Sequence, residues 1–131
     1  MLIKNSLIMK KEFIEAFTSI MALKMPARRC LEVSACVEDL IAQHQIVQRA
    51  RKAVADKYCK KDDTGNPMSD TLGNLLFDTP ELEKDCKKEL EEIQEEEIDI
   101  ALSEKIKVSG DQLMTPQEVS LLKDILDIDD N

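Results

Sequence analysis

The chain has 131 residues, 43% of them hydrophobic, and a formal net charge of −9, which suits one domain with a modest core. Aromatics are only 3%, with no Trp, which argues against a surface that stacks nucleic-acid bases. The acidic balance opposes binding to DNA, RNA or anionic lipid, and no apolar run approaches the roughly 20 residues needed to span a membrane.

Met1 to Asn5 reads as a short strand or a lead-in. A first helix is expected over 7–23, with Phe13, Ile14, Phe17, Ile20 and Met21 at the helical period. Lys24-Met25-Pro26 ends it, because the residue before proline disfavours helix. Pro26 then suits the first position of a second helix over 26–59. At about 1.5 Å per residue that helix would span roughly 50 Å.

The second helix carries a heptad seam: Cys30, Val33, Val37, Leu40, His44, Val47, Arg51, Val54 and Tyr58. A narrow seam of this length needs a covering helix, from the same chain or from a partner. His44 and Arg51 are its two polar positions. As the single histidine, His44 invites a reading as general base or pH switch. No nucleophile or carboxylate is placed for it nearby in sequence, so it reads as a polar side chain at a helix contact. Arg51 suits either an anion or the glutamates of the next helix, and a polar seam position sets pairing register.

The 60–78 segment is expected to be a loop. Thr64-Gly65-Asn66-Pro67 and Leu72-Gly73-Asn74 are the strongest turn signals in the chain. Asp62-Asp63-Thr64-Gly65-Asn66 lacks the alternating acids and terminal glutamate of a calcium-binding EF-hand loop, so it reads as a turn. A loop of this length in a small domain is either functional or mobile.

An acidic helix follows over 79–97, with Thr79 as its cap, Pro80 first, and Leu82, Cys86, Leu90 and Ile93 as its apolar stripe. Its late run includes Glu92, Glu95 and Glu96. This run reads first as a solvated face; mimicry of DNA phosphates toward a basic partner, and a divalent cation, are the sharper alternatives. A short strand region is expected over 98–108. The last helix, 115–127, opens with a capping box of Thr115, Pro116 and Glu118 and presents Val119, Leu122, Ile125 and Leu126 to the core. The acidic tail after it reads as frayed.

Cys30, Cys36, Cys59 and Cys86 form no C-x-x-C pair. With one histidine in the chain they are poor metal ligands. No secretory signal is read in the opening residues, so a reducing cytoplasm is expected.

The order of these pieces resembles a family of small phage and prophage proteins of tailed phages, catalogued as a domain of unknown function. The likeness rests on the lead Leu2-Ile3-Lys4-Asn5, on Met25-Pro26-Ala27, and on Ala50-Arg51-Lys52 through Asp56-Lys57-Tyr58. It continues in the turn 61–66, the Glu97-Ile98-Asp99-Ile100 strand and the capped helix from Leu113 to Leu126. Members usually carry Gly directly after the Tyr, where this chain has Cys59. The resemblance covers nearly the whole chain and implies a phage origin; it supplies no activity and no functional residues.

The expectation is a mainly α protein with a minor β element: one domain built on a long antiparallel helical hairpin, with flanking N- and C-terminal helices. The expected function is non-enzymatic, without cofactor or metal. It works through a protein partner, of the phage or its host, in tail or neck morphogenesis as component, chaperone or adaptor. His44, Arg51, Glu92, Glu95 and Glu96 are the candidate partner-binding residues. An acidic inhibitor of a host or defence nucleic-acid-binding protein is the alternative. A second copy of the chain is an alternative partner for the seam. The expected location is the host cytoplasm or the virion.

Overall fold

In a computed structural model, residues 1–129 are described. The chain is mainly α: among the described residues there are five helices and four short strands in two two-stranded sheets. In chain order these are β1 (Leu2–Lys4), α1 (Asn5–Ile8), α2 (Lys11–Ile20), α3 (Ala27–Tyr58), α4 (Pro80–Glu95), β2 (Glu97–Asp99), β3 (Ile106–Ser109), α5 (Pro116–Leu122) and β4 (Leu126–Asp129). The domain expected from length divides into two compact units. One comprises residues 1–44 and 97–131; the other comprises residues 45–96.

The first unit holds the main core. Phe13, Phe17 and Ile20 of α2 pack with Val33, Cys36, Val37 and Leu40 of α3 and with Leu122, Ile125 and Leu126 near the end of the chain. The Phe13 and Phe17 rings lie 6.1 Å apart and tilted by 60°, an arrangement suited to their quadrupoles. β1 pairs antiparallel with β2, Ile3 opposite Ile98. β3 pairs parallel with β4, Ile106 opposite Leu126. Gly110, just past β3, lets the chains approach: a Cβ there would lie 2.5 Å from the Asp129 carbonyl oxygen.

Polar bonds pin the elements of this unit. Arg29 donates to Glu32 at 2.7 Å and to the Glu104 and Lys105 carbonyls at 2.9 and 3.1 Å. Glu32 in turn accepts from the Ser103 amide and hydroxyl. These donors, the Ser103 amide first, hold the Glu32 carboxyl below its ordinary range. Asn5, buried, accepts from Gln43 at 3.1 Å. The Thr115 capping box is formed, and Ser19 of α2 donates to Glu118 of α5 at 2.7 Å.

Several boundaries differ from the sequence reading. The helix expected over 7–23 is broken into α1 and α2, because Lys10 is extended (φ −76°, ψ 117°) and caps a fresh helix. No Gly or Pro marks that break. The helix expected over 115–127 stops at Leu122. Leu126 opens β4 instead, because the parallel partner β3 satisfies its backbone. The 98–108 strand region resolves into two strands in different sheets, β2 and β3. Of the final residues expected to fray, 127–129 belong to β4, and the last two lie outside the described residues.

Candidate interaction surface

The second unit contains the second half of α3, the 60–79 segment and α4. The segment between the helices is an ordered repeat of eight residues. Asp62-x-x-Gly65-Asn66 returns as Asp70-x-x-Gly73-Asn74. In each copy the Asp carbonyl accepts from the Gly amide, at 3.0 and 3.1 Å, and the Asp amide donates to the Asn carbonyl, at 2.9 and 2.8 Å. In each copy the Asp Oδ1 also accepts two further amides. Thr64 and Asn66 donate to Asp62 at 2.9 and 3.0 Å; Leu72 and Asn74 donate to Asp70, both at 2.9 Å. Gly65 and Gly73 both take φ +84°, the left-handed position that closes such hairpins.

The repeat is knit by a ring of backbone bonds eight residues apart. Lys60 N–H donates to Leu76 O at 2.7 Å, Leu76 N–H to Met68 O at 3.0 Å, and Met68 N–H to Lys60 O at 2.8 Å. Residues 60, 68 and 76 therefore satisfy one another in a closed three-way cycle. A third repeat starts at Leu76 and reaches Asp78, eight residues after Asp70. There the turn is replaced by Thr79, whose hydroxyl accepts from the Leu82 amide at 3.3 Å and starts α4. The sequence reading found both turns but not their period, because the third copy lacks Gly and Asn.

Asp62 and Asp70 have depressed carboxyl pKa values. For Asp62 the main cause is the Thr64 hydroxyl; for Asp70 it is the Asn74 amide. Asp62 Oδ1 and Asp70 Oδ1 are both engaged in closing the turns.

His44 and Arg51 are both half-buried on α3, and neither side chain makes a hydrogen bond or ion pair among the described residues. Glu92 and Glu95 are exposed on α4, and Glu96 is exposed at its C-terminal cap. The contact between α3 and α4 instead centres on Glu89. Tyr58 donates its hydroxyl to Glu89 Oε1 at 2.8 Å, and Lys57 Nζ lies 3.2 Å from the same oxygen and 4.9 Å from the Tyr58 ring. Glu89 is held below and Tyr58 above its ordinary range, each chiefly through their shared hydrogen bond. Cys59 and Cys86 are buried in this unit, and burial pushes the Cys86 thiol up. In the seam Val33, Val37, Leu40 and Val47 are buried, whereas Cys30 is exposed.

Large apolar side chains stand exposed on both units: Leu2, Leu31, Ile41, Leu113 and Ile128 on the first, Ile46 and Leu72 on the second. Leu72, 84% exposed, is at the tip of the second turn. The first unit also has an open cavity of about 510 Å³ beside β1, α1 and the end of α5, lined by Ile3, Leu7, Leu121 and Ile125 and edged by Lys4 and Lys10. No described helix is long and apolar enough to cross a membrane. Comparison with protein-family models, with curated proteins and with solved structures finds no match for the chain.

Proposed function

We propose that this chain is a non-enzymatic protein-binding protein of a phage or prophage, acting in virion morphogenesis as a tail or neck component, chaperone or adaptor. The observation that carries the binding role is Leu72, held out on a turn whose backbone is fixed by Asp70 and Gly73. An apolar side chain displayed on an ordered turn costs little entropy to bury in a partner. The phage setting rests on the resemblance of the sequence alone. In this reading α3 and α4 fold back as an antiparallel hairpin, supported by Lys57 and Tyr58 meeting Glu89.

Affinity capture from infected cells tests the role. Recovery of a virion or assembly protein is expected, and recovery of none counts against it. The alternative, an acidic decoy for a nucleic-acid-binding protein, is favoured by exposed Glu92, Glu95 and Glu96 in a chain of net charge −9. Reversing those three charges separates the two: unchanged binding to a basic partner removes the decoy.

A further inference from the structure

The second unit has a scant interior. Among its described residues the buried hydrophobic side chains are Val47, Cys59 and Cys86, so two of them are thiols. Local geometry brings the two to the same helix contact. The Cys59 amide donates to the Ala55 carbonyl at 2.8 Å, so the last turn of α3 carries through to this residue. Its neighbour Tyr58 reaches across to Glu89 at 2.8 Å, and Cys86 stands one turn before Glu89 on the same side of α4. Burial raises the Cys86 thiol most, and charge on Cys59 raises it next; two buried groups act on each other in this way only when they are close.

The other two thiols lack such a mate. Cys30 is exposed and donates to the Met25 carbonyl. Cys36 is buried in the first unit, with no second cysteine in its core cluster.

We propose that Cys59 and Cys86 form a reversible disulfide, a thiol switch that ties the end of α3 to α4. Cys59 is the less buried of the two, 8% exposed against 1%, so it meets the oxidant first. The oxidant is a small-molecule disulfide such as oxidised glutathione. Cys59 loses its proton to water, attacks one sulfur of the oxidant, forms a mixed disulfide and releases one glutathione thiolate. Cys86 then loses its proton and attacks the Cys59 sulfur, and the second glutathione leaves as thiolate. Each released thiolate takes up one of the two protons. Two protein thiols thus become one disulfide, and one glutathione disulfide becomes two thiols. The bond encloses residues 60–85, with both turns and Leu72 inside the loop, and restricts the unfolded freedom of that framework. Control of partner binding by this switch rests on the protein-binding reading above; formation of the bond does not.

Incubating the native full chain in buffers of graded oxidised to reduced glutathione tests this. Free thiols are alkylated, and disulfides are mapped by mass spectrometry after proteolysis. A Cys59–Cys86 link should form without denaturant and disappear on return to reduced glutathione. Hydrogen exchange at the Met68 and Leu76 amides should slow by roughly tenfold or more in the oxidised chain. Cys86→Ala should stop Cys59 at the mixed disulfide and abolish the slowing. If that variant misfolds by circular dichroism, the mapping on the native chain decides by itself. Cys59 and Cys86 that both stay reduced, a link that forms only in denaturant, a pairing with Cys30 instead, or a link that leaves exchange unchanged would each overturn the proposal. A native link in a chain that captures no virion protein would remove the binding role and leave the switch standing.

Discussion

Thr64 and Leu72 stand at the same place in two copies of one turn, eight residues apart, yet only the threonine side chain bonds to its own turn. The eight-residue repeat turns an apparent loop into a small framework with its own backbone ring at residues 60, 68 and 76. That framework depends on two glycines. Neither has an atom within 4 Å of a built Cβ, so substitution strains the backbone without a clash. Gly65→Ala and Gly73→Ala should each cost about 1–2 kcal/mol, measured by chemical denaturation. Asn at either position should cost less than Ala, since Asn tolerates the left-handed region.

The two aspartates make the framework sensitive to acid. Both carboxyls titrate below the ordinary aspartate range in the folded state. A depressed folded pKa adds stability that is present above the unfolded pKa and lost as pH falls through the folded one. The amide resonances of Thr64, Asn66, Leu72 and Asn74 should therefore hold steady through the ordinary aspartate range and move only at more acidic pH. Shifts centred at the ordinary aspartate value would contradict the bonding described.

Tyr58 is the single tyrosine, so tyrosinate absorbance reports it alone. Its hydroxyl donates to Glu89, which holds the phenol neutral and raises its pKa. A raised folded pKa adds stability that is fully present below the unfolded pKa and lost as pH rises through the folded value. The ionisation midpoint should lie above that of a free tyrosine near 10. Glu89→Gln should bring it down toward the free value; no movement would mean that the pair does not form in solution.

Phe17 is fully buried in the core of the first unit, between α2 neighbours and the α3 stripe. Phe17→Ala should cost about 3–5 kcal/mol by denaturant titration. The second unit contributes no side chain to that core cluster. Exchange protection of the Met68 and Leu76 amides should therefore fall less than that of amides in α2.

Much of the architecture was legible in local chemistry. Pro26, Thr79 and Thr115 marked three helix starts, and the structure places α3, α4 and α5 at 27, 80 and 116. Those residues act through nearest-neighbour bonds, which a sequence displays. The break at Lys10 and the strand at Leu126 were not legible. Leu126 continues a helical apolar period, and only the distant β3 makes it a strand. The binding candidates came from a pattern of polar seam positions, His44 and Arg51. The exposure of Leu72 was not legible inside its turn signal, because the contrast with Thr64 shows only when the two turns are compared eight residues apart. The acidic run of α4 begins at Glu89, and it is this residue that meets the last turn of α3, through Tyr58 and Lys57.

Leu72 is the side chain we propose to meet a partner. A photo-crosslinking residue placed at position 72, with position 64 as the matched control, measures this in phage-producing cells. A discrete adduct is expected from position 72, to a virion or assembly protein, and none from position 64. Equal crosslinking from both positions, or none from 72, would contradict it.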